Sequence, residues 1–151
     1  PDAARSVRSP GYLLARRVAK GRIPVKVLQQ DTLTYRTDVL FYFTGAARVA
    51  GLETLRFLPG ALADHLTSSG GALTERGGQM SALAWLEAGA TASYGTVVEP
   101  CNLPQKFPHP AVAMAHYLAG ETLIEAYWKS VRMPGQGVFV GEPLAAPFAV
   151  R

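Results

Sequence analysis

Val39-Leu40-Phe41-Tyr42-Phe43 is the stretch that decides the fold. Its β-branched and aromatic residues suit a strand, and nothing polar interrupts them. A strand without polar alternation is covered on both faces, as in the middle of a parallel sheet. Asp38 precedes the run and Thr44-Gly45-Ala46 ends it. Upstream, Ser9-Pro10 predicts a helix start, with a hydroxyl at the N-cap and proline in the first turn, and Gly21 closes that helix. Val25-Lys26-Val27-Leu28, after Pro24, reads as a short strand. Downstream, Pro59-Gly60 opens a strand from Ala61 to Leu66. Gln79 to Ala88 forms a helix closed by Gly89, and Ala90 to Val98 is a further strand. Pro110 begins a helix through Leu118, a second helix spans Glu121 to Val131, and the tail from Val138 to Pro143 is a last strand. The order is helix, three strands, helix, strand, two helices, strand. That alternation predicts an α/β fold in three layers, a mostly parallel sheet with helices on both faces.

The 151 residues suffice for one domain with a sizeable core. With 48% hydrophobic and 17% charged residues, the composition is that of a globular chain. No apolar stretch reaches the roughly 18 residues of a membrane span, so no membrane insertion is expected. Pro1-Asp2 at the start, without Met, reads as a trimmed or partial chain. The net charge of +4 is uneven: residues 1–36 carry eight Arg/Lys against Asp2 and Asp31 (+6), and the rest seven against nine acids (−2). Arg16, Arg17 and Lys20 fall near a helix end, where cations favour the dipole, so the basic end reads as a solvated face. No nucleic-acid motif accompanies it, and no nucleic-acid partner is expected.

Chemistry-bearing side chains gather where the predicted strands end. Ala63-Asp64-His65-Leu66-Thr67-Ser68-Ser69-Gly70-Gly71 supplies a carboxylate, an imidazole and hydroxyls. Ser93 to Asn102 brings Glu99, Cys101 and Asn102. The carboxyl ends of strands are where α/β folds place their sites. One cysteine excludes an internal disulfide and a cysteine-based metal cluster. If the strands are neighbours, Cys101 and His65 form a nucleophile and base, with Asp64, Glu99 or Asn102 orienting the ring. The alternative is that His65 hydrogen-bonds a backbone carbonyl and Cys101 fills a small gap. Thr67, Ser68 and Ser69 either line an anion or oxyanion site or satisfy their own turn. Thr44 and Lys106 complete the candidate binding residues. His65, His109 and His116 lack ligand spacing, so no metal is expected, and no cofactor. Glu121, Glu125 and Lys129 have the spacing of surface ion pairs. Tyr127 and Trp128 read as core, with a groove as the alternative.

Four segments together carry a family resemblance: Leu40 to Val49; Ala63 to Ser68; Trp85 to Thr91 running on to Glu99-Pro100-Cys101-Asn102; and Glu125 to Val131 through Gly141-Glu142-Pro143-Leu144. The chain resembles a bacterial family of unassigned activity that accompanies the exosortase protein-sorting system. By that resemblance residues 1–151 are the C-terminal half of a longer protein, and an extracytoplasmic, envelope location is implied. The partner would be a protein, a peptide or its own N-terminal half. The chain is more distantly similar to caspase–gingipain cysteine peptidases. There one strand ends in His-Gly and the next in a nucleophilic Cys near Gly. Here those positions carry Thr44-Gly45 and Thr67-Ser68-Ser69-Gly70. The resemblance thus implies a caspase/gingipain-like scaffold without its dyad, in a binding or accessory role. A cysteine hydrolase using Cys101 and His65 stands as the alternative, and a structural half-domain completing a missing core as another.

Overall fold

The computed structural model describes residues 4–30, 32–74, 78–97 and 103–150. It is an α/β fold with a four-stranded, mostly parallel open sheet. In chain order the elements are α1 (Pro10–Val18), β1 (Val39–Thr44), β2 (Phe57–His65), α2 (Leu83–Glu87), β3 (Ala92–Thr96), α3 (Pro110–Leu118), α4 (Leu123–Ser130) and β4 (Gly137–Gly141). The sheet order is β1-β2-β3-β4; β1, β2 and β3 run parallel, and β4 returns antiparallel to β3. Among the described residues no helix is long and apolar enough to cross a membrane.

β1 corrects the expectation drawn from its own sequence: it lies at the sheet edge, not in the middle. Its apolar residues are explained by cover on both faces. Phe41 and Phe43 join clusters with α1, α3 and α4, whereas Tyr42 packs with Trp85 at 5.0 Å between ring centroids. Residues 25–28 form no strand. Ile23 and Val25 instead pack on the cluster that Ala15 of α1 and Ala19 just after it form with Ala111, Met114 and Leu118 of α3. β-Branching marks only a side chain suited to a half-buried surface, and here a helical surface takes it.

Pro10 starts α1, but the Ser9 side chain makes no capping bond, because the chain enters directly from a 3-10 turn at Ser6–Arg8. β2 begins earlier than expected and carries Pro59-Gly60 within it, where the β1–β2 register shifts. Gly60 has φ +83, a conformation that favours glycine, and Tyr117 Oη donates to its carbonyl at 2.7 Å. α2 starts four residues later than expected, since Gln79 and Met80 are engaged by the β2 loop. α4 starts at Leu123 on a capping box: Glu125 N–H donates to Thr122 Oγ1, and Thr122 N–H donates to Glu125 Oε2. Among the described residues Lys129 pairs with Glu121, at 2.6 Å.

Alternation along β2 builds the core. Leu62 joins Ala92, Tyr94, Tyr117, Leu123, Ala126 and Tyr127 on the α3–α4 side. Ala63 joins Met80 and Trp85 on the α2 side. Neighbouring residues of a strand face opposite ways, so one strand supplies both clusters. Tyr127 is fully buried, stacked on Tyr94 at 6.2 Å, and Trp128 meets the edge of Tyr94 at 5.8 Å.

Candidate functional site

The parallel strands finish together, Thr44 of β1 being in register with His65 of β2. Residues 66–71 then cross the sheet end towards β3. Gly71 N–H donates to Thr96 O at 2.8 Å, and the crossing is so close that a Cβ on Gly95 would lie 2.3 Å from Gly71 N. Only glycine admits that approach.

His65 points to the α2 side and is almost wholly buried. Its Nδ1 accepts a hydrogen bond from Trp85 Nε1 at 2.9 Å, and its Nε2 lies 3.0 Å from Met80 O. An indole N–H only donates and a carbonyl only accepts, so the ring is the neutral Nε2–H tautomer. Burial pushes its pKa down to about 4; the Met80 carbonyl opposes this and the nearby Arg8 and Arg5 charges reinforce it. With its one lone pair held by Trp85, this imidazole has no free nitrogen with which to take a proton from a nucleophile.

Asp64, the preceding residue, faces the opposite side of the sheet, so it does not orient the His65 ring. Its carboxylate is paired with Arg8 at 2.5 Å, both side chains being buried. Arg8 also donates from Nη2 to Thr44 O at 2.9 Å and from Nη1 to Pro108 O at 3.2 Å, and lies 5.6 Å from the centre of the Phe43 ring. Burial pushes the Asp64 carboxyl up, and the guanidinium draws it down. Arg8 stays protonated: burial acts against its charge, but Asp64 and Tyr12 together more than offset that. Tyr94, on the same side, is raised to about 12 by burial and by the Asp64 charge. Arg8 belongs to the basic end of the sequence, and nothing in Ser6-Val7-Arg8-Ser9 sets it apart there; the Ser6–Arg8 turn carries it under the sheet.

The hydroxyl-rich loop is tied to Gln79 and to β3. Thr67 Oγ1 donates to Gln79 Oε1 at 2.7 Å, and the same oxygen accepts from Ser69 N–H at 2.8 Å. Thr96 Oγ1 lies 2.9 Å from both Thr67 O and Ser68 O. Ser68 and Ser69 are half-buried, and Thr44 contributes its carbonyl. Gln79 and Trp85 hold the arrangement together, and no spacing in the sequence links either to residues 65–69.

Lys106 is buried in the 3-10 turn Pro104–Lys106, away from the loop in sequence and held by its own contacts. His109 is the N-cap of α3, beside Gly11 of α1; His116, in the last turn of the same helix, has Nδ1 2.8 Å from Glu121 Oε1, and His65 ends β2. Glu99, Cys101 and Asn102 lie outside the described residues. The sheet end and its loop thus define an α/β protein in which the strand-end residues Asp64, His65, Thr67 and Thr96 are bonded to other groups of the chain. Comparison with known proteins finds no matching family model, curated protein or solved structure.

Proposed function

We propose that this chain is a non-catalytic binding or accessory domain for a protein or peptide partner in bacterial envelope protein sorting. Its scaffold is a three-layer, caspase/gingipain-like one that has lost its dyad. The observation that carries the reading is His65 held between Trp85 Nε1 and Met80 O, with no nitrogen left to act as a base. Thr44 and Ser68, in the positions where the resembled peptidases have His and Cys, agree with it. Packing from both sides of β2 agrees with the three-layer scaffold. The envelope role rests on the family resemblance alone.

The test is the rate of Cys101 alkylation by iodoacetamide across acid to alkaline pH, for the wild type and His65→Gln. A thiol with no imidazole partner gives one inflection near the ordinary value of about 8.5, the same in both proteins. An inflection well below that, moved upward in His65→Gln, overturns the proposal and establishes an activated thiol–imidazole pair.

A further inference from the structure

The basic end of the chain contains one buried cation, Arg8, and a second group that the sheet does not use. α1 packs on α3 through small residues: Ala15 and Ala19 lie against Ala111, Met114 and Leu118, and a Cβ on Gly11 would lie 3.1 Å from Pro110. With glycine and alanine inward, every long side chain beyond Tyr12 is turned outward. Leu13 is 51% exposed, Leu14 46% and Val18 36%. Arg16, Arg17, Lys20 and Arg22 are exposed as well.

These residues are ordered around the helix. Leu14 and Val18, four apart, form an apolar stripe; Leu13 and Arg17 form a mixed one beside it; Arg16 and Lys20 form a basic one beyond. A surface helix of a globular protein has the reverse plan, with its large apolar residues against the core. No acidic residue lies between Asp2 and Asp31. The exposed face is therefore cationic as well as aliphatic.

We propose that the outer face of α1 docks on an anionic lipid surface, with Leu13, Leu14 and Val18 entering the headgroup boundary and Arg16, Arg17 and Lys20 meeting lipid phosphates. The occupant follows from charge complementarity together with the aliphatic stripe. Nucleic acid would match the cations but gives Leu14 and Val18 nothing to bury against, and the exposed face carries no aromatic ring for base stacking. A helix of nine residues lies on such a surface and does not cross it. This inference is independent of the accessory role proposed above.

The experiment is co-sedimentation of the full chain with vesicles of three parts phosphatidylcholine to one part phosphatidylglycerol, and with pure phosphatidylcholine vesicles. Binding is expected to the anionic vesicles only and to weaken as salt is added. Each cation near such a surface is worth about a fivefold change in partition, so Arg16→Gln/Arg17→Gln should lose about 25-fold. Leu13→Gln/Leu14→Gln, at exposed positions that leave the core intact, should lose about tenfold or more; circular dichroism confirms that each variant is folded. Failure to bind anionic vesicles overturns the proposal. So does binding that survives the leucine changes, which would mean adhesion by charge alone. Binding to duplex or single-stranded nucleic acid without vesicle binding, lost in the arginine variant, overturns it in favour of the other polyanion.

Discussion

Acid should destabilise this protein through His65, by an amount set by the buried ring. In the unfolded chain the imidazole takes its proton near the ordinary 6.5, whereas in the fold burial holds it to about 4. Between those values the unfolded chain binds more protons than the native one, so stability rises with pH there. The contribution is complete above about 6.5 and is lost as pH falls to about 4. The gap of about 2.5 units, at about 1.36 kcal/mol each, is worth about 3 kcal/mol. Protonating Nδ1 would also convert the acceptor of the Trp85 N–H into a donor, setting two donors face to face. Asp64 has the opposite sign, because a carboxyl pushed up by burial is protonated more readily in the native state. The wild-type curve therefore mixes the two groups, and a variant is needed to separate them. His65→Gln removes the titration while keeping a polar group. It should be less stable than wild type at neutral pH by about 1–3 kcal/mol through disrupted buried hydrogen bonds. That difference should shrink by about 3 kcal/mol on acidification to about 4. Urea denaturation across this range measures it, and imidazole resonances followed by NMR report the native pKa directly. Parallel stability curves for the two proteins, or a native His65 that titrates near 6.5, would refute the reasoning.

Three further outcomes follow from other contacts. Arg8→Met leaves Asp64 buried without its partner and should lose about 3–5 kcal/mol; Arg8→Met/Asp64→Leu should recover most of it, and both are read by urea denaturation. The single variant's loss should narrow at low pH as the lone carboxyl takes up a proton. Gly95→Ala places a Cβ 2.3 Å from the Gly70–Gly71 backbone, and should lose about 1–3 kcal/mol or more as the loop is pushed off β3; faster amide exchange at Gly71 checks the location. Thr122→Ala removes the α4 cap and should lower stability by about 1 kcal/mol, measured by thermal unfolding.

The sequence alone determined the element types that rest on local signals. The apolar run ending at Phe43, the Ser9-Pro10 start of α1 and the Pro110 start of α3 all place elements where they occur, because propensity and proline geometry act over a few residues. Alternation of strands and helices was enough for the α/β class and for a mostly parallel sheet. Strand position was not legible: Val39–Phe43 is apolar because aromatic clusters cover both its faces, a condition that an edge strand meets as well as a central one. Residues 25–28 carry a strand signal that packing against α1 and α3 overrides.

The site divides in the same way. Asp64 and His65 stood out as polar residues at a strand end, and that is where they are. Only the tertiary structure decided what they touch, because adjacent residues of a strand face opposite sides of the sheet: Asp64 meets Arg8, 56 positions earlier in the chain, and His65 meets Met80 and Trp85. Spacing along the chain carries no information about such contacts. Whether a buried imidazole serves as base or as brace depends on which groups surround it, and those groups are brought there by the fold.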